Sequence, residues 1–139
     1  MSLHVLDTDT LVLFQEGHEA VCRRVFAHPV EELATTAITI EEQLSGWYTL
    51  LRRAKEARQL AHAYRRLADT VRVLSRFQIL SFTEPAIDRF IKLKGLRLGV
   101  KHADLRIPAI TLEHGATLVT RNARDFQAIP DLSIVDWSA

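Results

Sequence analysis

The chain has 139 residues, 47% of them apolar and 25% charged, with a net charge of +1. That length suits one domain with its own core, and the balance excludes disordered and fibrous chains. A net charge this small gives no field over the whole protein, so contact with nucleic acid must come from locally placed Arg and Lys.

Residues 3–6 read as a buried strand, followed by a helical start at 7–10 and a second helical pattern over 18–28. Within that pattern the single cysteine, Cys22, lies beside Val21 and Val25 and reads as a buried thiol with no disulfide partner. Pro29 stops the pattern, having no N–H to continue it. Residues 33–38 form a second strand rich in Thr and apolar side chains. Ile40, Leu44, Trp47 and Leu51 then fall on one helical face, and Leu60, Tyr64, Leu67, Val71 and Leu74 on another, with Arg58, Arg65, Arg66, Arg72 and Arg76 on its other sides. Residues 39–76 are thus expected to form a helical hairpin inserted between strands. A third strand covers 77–82, and Thr83 with Pro85 starts a helix whose buried face is expected to be Ile87, Phe90, Ile91 and Leu93. Gly95 and Gly99 loosen the chain before a helix over 104–114, which stops at Gly115. Strands at 117–120 and 132–135 complete a single α/β domain over 1–139, expected to be three-layered around a mostly parallel sheet.

Four acids stand at the ends of these apolar runs: Asp7 after 3–6, Glu42 after 38–40, Asp104 opening the 104–114 helix, and Asp125 after 118–120. In a fold of alternating strands and helices such positions meet at one edge, beyond the carboxyl ends of the strands, where ligands bind. Gathered there, the carboxylates would repel one another by about 1 to 4 kcal/mol per pair at about 4 Å. An all-oxygen cluster of this kind implies Mg2+ or Mn2+ at its centre, and with it phosphate chemistry. Taken singly, each acid has a plainer role. Asp7 and Asp104 could cap helices, Glu42 could be solvated, and Asp125 could cap a turn beside Arg124. Four coincidences at one predicted edge favour the metal, and the block resemblance described below adds to them.

The six His residues show no HxxxH or HExxH spacing, which argues against zinc, and no His, Ser or Cys arrangement offers another nucleophile. Thr8 and Thr10 stand where a hydroxyl can support a metal-binding carboxylate. Arg121 and Arg124, and less strongly Lys101, are placed to hold the phosphates of a substrate. The acids Asp7, Asp9, Glu16 and Glu19 do not fit a signal peptide, and no run reaches the roughly 18 apolar residues of a membrane span. A cytoplasmic protein without membrane contact is expected.

The segments HVLDTDTLV, TTAITIEEQLSG, ADLRIPAITLEHGATLVTRNARDF and IPDLSIVDW, in this order, resemble a PIN domain, and within it the VapC-type toxins of bacterial toxin–antitoxin pairs. The resemblance implies a Mg2+- or Mn2+-dependent ribonuclease. It places Asp7, Glu42 and Asp104 on the family's metal-binding acids, Asp125 on a further one, and Asn122 where a further ligand is often added. It also implies a homodimer, and a small antitoxin protein whose helix lies in a groove of the hairpin and whose Arg reaches the acids. Pro108, four residues after Asp104, departs from the pattern. Either the helix begins later, with Pro108 in its first turn, or it kinks there, and both could move the Asp104 carboxylate. A catalytically weakened PIN domain acting as a binding or regulatory module is therefore the alternative. LDTDTL also resembles the DxDxT opening of haloacid-dehalogenase-like phosphatases. It is one residue short of that motif, however, and no later Lys and paired-Asp block accompanies it.

Overall fold

The computed structural model describes residues 2–139. Five short strands, β1 (His4–Leu6), β2 (Leu33–Thr36), β3 (Gln78–Leu80), β4 (Thr117–Val119) and β5 (Ser133–Val135), form one sheet in the order β3-β2-β1-β4-β5. Every neighbouring pair is parallel, with Val5 opposite both Ala34 and Leu118. The helices α1 (Thr8–Gln15), α2 (Glu19–Ala27), α3 (Ala37–Arg53), α4 (Ala57–Leu74), α5 (Glu84–Gly95), α6 (Arg106–Glu113) and the single turn α7 (Ala123–Phe126) make the crossovers that a parallel sheet requires.

Adjacent residues of a strand point to opposite faces, and this builds two cores. Leu6, Leu33 and Val119 pack with Leu11, Phe14, Val21, Val25 and Leu74 on one face. Val5 and Ala34 pack with Ile38, Ala86 and Ile110 on the other, continued by Leu118 with Leu93, Ala109 and Phe126. The result is the expected three-layer α/β/α arrangement. Strand order reverses between β1 and β4, so their carboxyl ends open the crevice that such sheets use for ligands.

Several local expectations change. β2 stops at Thr36 rather than 38, because the Thr36 hydroxyl accepts the Thr39 N–H at 3.2 Å and so caps α3 from Ala37. The hairpin is therefore α3 and α4. The buried stripe of α4 is Ala63, Thr70 and Leu74, while Leu60, Tyr64 and Val71 are exposed. Small and polar residues face inward because Thr70 accepts a hydrogen bond from the Trp47 indole of α3 at 2.9 Å. In α5 the inward residues are Ala86 and Leu93, with Phe90 half-buried against the same core as expected, and Ile87 and Ile91 face outward. The Cys22 thiol is half-buried and donates weakly to the Phe14 carbonyl at 3.6 Å.

Asp104 does not open a helix. It lies in a 3-10 turn, His102–Leu105, and α6 begins at Arg106. Pro108 is thus the third residue of α6, where a backbone N–H would have no partner inside the helix, so the ring fits without a kink. At the other end His114 closes α6 and Gly115 follows at φ +60°, with its N–H donated to the Leu112 carbonyl at 3.0 Å.

Candidate active site

Asp7 follows β1 and caps α1. Its backbone N–H donates to the Val119 carbonyl at 3.1 Å, and one carboxylate oxygen accepts the Thr10 N–H at 2.9 Å. The Thr10 hydroxyl donates to the same Val119 carbonyl at 3.1 Å, so the start of α1 is tied to the end of β4. Thr10 is buried, and its hydroxyl acts through that backbone bond. Glu42 projects from the second turn of α3 and accepts a 2.6 Å hydrogen bond from the Thr8 hydroxyl. Thr8 also lies 3.1 Å from the Thr39 hydroxyl, so a short chain of hydroxyls orients Glu42 from α1 and α3 together. Asp104 is exposed on its 3-10 turn, whose backbone closes through the Asp104 N–H to the Lys101 carbonyl at 2.9 Å. Asn122 follows β4, with its N–H donated to the Thr120 hydroxyl at 3.0 Å.

These residues meet in one pocket of about 210 Å3 at the carboxyl edge of β1 and β4. Asp7, Asp9, Glu42 and Asp104 line it together with Thr8 and Asn122, and among the described residues no Lys, Arg or His does. Burial pushes the Asp7 carboxyl above the usual carboxylate range, and hydrogen bonds from Thr120 and Thr10 only partly offset this. A negative charge on Asp7 is therefore costly unless a cation accompanies it. The acids do not close into a tight cage: among the described residues, no three of these carboxylates bring one oxygen each within 4.8 Å of the others.

Asp125 stands apart from this group. It is exposed on α7 and does not line the pocket, because in this single turn Phe126 takes the inward position. Successive helical residues diverge by about 100°, so the two cannot share a direction. Arg121, Arg124 and Lys101 are exposed and outside the lining, and among the described residues none of them pairs with a carboxylate.

Two neighbours carried little sequence signal. Asp9, at the second position of α1, reads as a helix-start acid, yet it faces the pocket. Arg106 donates from Nη1 to Glu41 at 3.4 Å and from Nε to the Ala103 carbonyl at 3.0 Å, which steadies the turn bearing Asp104 against α3. That contact joins residues 65 apart in sequence.

An all-parallel α/β domain with an acidic pocket at its topological switch point defines the class. The chain belongs to the PIN domain family, whose model matches residues 4–132. Among solved structures it is similar to DNA-bound VapBC from Salmonella typhimurium, at 25% identity and a TM-score of 0.82 over 99% of both chains. It is similar also to a toxin–antitoxin complex from Klebsiella pneumoniae, at 25% identity and a TM-score of 0.72 over 96% of this chain and 97% of that one. VapBC2 from Rickettsia felis, bound to a DNA fragment from their promoter, shares the fold at 20% identity and a TM-score of 0.79, over 97% and 98% of the two chains. Among curated protein sequences, none matches.

Proposed function

We propose that this protein is a Mg2+- or Mn2+-dependent endoribonuclease, the toxin of a toxin–antitoxin pair. The observation that carries this reading is the pocket at the switch point, lined by four carboxylates and, among the described residues, by no basic side chain. Four such charges around one pocket favour a cation there, and an oxygen-only donor set suits a hard one. An open arrangement fits Mg2+, which keeps several waters and takes only one or two carboxylates directly. When bound, the metal would lower the pKa of a water and neutralise charge on a phosphodiester.

The chain's own residues divide the remaining work. Asp7, pinned to β4 and partly desolvated, is the most rigid of the ligands. Thr8 holds Glu42 in one orientation by the 2.6 Å bond. Asp104 and Asp9 add charge from the rim, with the Asn122 amide beside them. Arg121, Arg124 and Lys101 lie free on the surface to contact the phosphates of an RNA strand. Asp125 keeps at most an outer place in this scheme.

The antitoxin reading rests on the similarity to solved toxin–antitoxin complexes and on the hairpin surface. Tyr48, Leu60, Tyr64 and Val71 of α3 and α4 are between 43% and 66% exposed, an apolar strip suited to a partner's helix. A homodimer belongs to the same reading. No helix among the described residues is long and apolar enough to cross a membrane. With Pro108 in the first turn of α6, Asp104 still lines the pocket, which weighs against the binding-module alternative.

The test is cleavage of total RNA by the purified, partner-free protein in Mn2+ or Mg2+, with EDTA and Asp104→Asn as controls. Cleavage lost in both controls is the expected result. A protein that binds RNA but cuts it in neither metal would overturn the enzymatic reading.

A further inference from the structure

The opposite edge of the sheet holds a second group of metal-ligating side chains, unrelated to the acidic pocket. His4 opens β1, His28 follows the end of α2, and Glu32 ends the short 3-10 turn that leads into β2. One ligand atom of each lies within 4.8 Å of the other two, and all three residues are half-buried. A tetrahedral zinc site needs its donors about 3.4 Å apart, so small side-chain rotations would close the trio.

Two details separate this trio from ordinary packing. The Nδ1 of His4 is buried and has no hydrogen-bond partner. Such an orphaned atom is uncommon in native interiors and calls for an explanation such as an ordered water or an ion. His28 Nδ1 lies 2.7 Å from the Arg24 carbonyl. A carbonyl can only accept, so Nδ1 carries the proton and Nε2 keeps its lone pair. A ligating histidine is commonly fixed in this way, through its other ring nitrogen. The buried Trp137 stacks on His28 with centroids 4.9 Å apart and lies 5.2 Å from His4, walling the site on one side.

We propose that His4, His28 and Glu32 bind a zinc ion at the amino edge of the sheet. Two imidazoles and one carboxylate supply three ligands, and water completes a fourth position. The ion would tie the end of α2 to the amino ends of β1 and β2, which already pair with His4 opposite Leu33. The expected role is a clamp on the fold, independent of the ribonuclease reading.

The experiment is zinc titration of the full chain by competition with a chromophoric chelator, repeated for His28→Gln and Glu32→Gln, with thermal melting of each. Zinc should bind the parent chain and raise its Tm by about 5–10 °C near saturation. Each variant, folded by circular dichroism, should bind more weakly by over about tenfold, the loss that even an outer-shell change can cause. Cobalt in place of zinc should quench the Trp137 fluorescence in the parent and not in His28→Gln. Zinc affinity equal in parent and variants, or no zinc bound by the parent beyond what Asp7→Asn abolishes, would overturn the proposal.

Discussion

The two ends of the same sheet are built differently. At the carboxyl edge, the carboxylates of Asp7, Asp9, Glu42 and Asp104 share an open pocket with Thr8 and Asn122. At the amino edge, His4, His28 and Glu32 form a compact, mixed nitrogen and oxygen group under Trp137. Oxygen-only and loosely arranged donors suit a hydrated Mg2+ that must admit substrate, whereas imidazoles in a half-buried niche suit zinc. One parallel sheet thus offers a reactive edge and a candidate structural edge. The reason is that helix starts and acids collect beyond the strands' carboxyl ends, while helix ends gather at their amino ends.

The largest effect expected from breaking this contrast is at Asp7. Asp7→Asn keeps the cap of α1, since Asn caps as well as Asp. It should nevertheless lower RNA cleavage by more than about 100-fold, at or beyond the upper end of what outer-shell changes cause. The same change should raise thermal stability in the absence of metal, because it removes a charge that burial disfavours. The sign follows from linkage. Asp7 holds its proton more tightly folded than unfolded, so its contribution is full below the unfolded value of 3.8 and is lost as pH rises through the raised folded value. Urea unfolding followed upward from that pH should show a decline in the parent that Asp7→Asn lacks.

A smaller effect is expected at Thr8. Thr8→Val removes the 2.6 Å bond to Glu42 and should reduce cleavage by about 10-fold or somewhat more with the fold intact, as measured by initial rates and circular dichroism. Comparing Asp9→Asn with Asp125→Asn sharpens the map of the pocket. The first should impair Mn2+-dependent cleavage and the second should leave it near the parent rate, because only Asp9 faces the cavity. Smallest of all, His28→Gln should leave RNA cleavage unchanged while altering zinc response, which keeps the two edges functionally separate.

What was legible in the sequence follows the same division. Asp7 and Glu42 were readable because each follows an apolar run within a few residues, and strand polarity carries both to one edge. The identity of the remaining acids depended on finer direction. A single turn, α7, turns Phe126 inward and Asp125 outward, and no periodicity can be read from four residues. Asp104 was placed correctly at the pocket but on a 3-10 turn instead of a helix, since Pro108 could sit in either a first turn or a kink. The stripe on α4 was misread because apolar pattern favoured Leu60, Tyr64 and Val71 where close helix contact had selected Ala63 and Thr70. The trio of His4, His28 and Glu32 left no local signature. Its members converge only through the pairing of β1 with β2 and the return of α2, so motif spacing could not reveal it.

The central claim is that the acidic pocket holds the divalent ion. Mn2+ binding by the metal-free protein, followed by electron paramagnetic resonance, tests it most directly when the parent is compared with Asp7→Asn. Mn2+ should bind the parent, bind Asp7→Asn far more weakly, and bind His28→Gln as it does the parent. Equal Mn2+ binding by the parent and Asp7→Asn would contradict the claim.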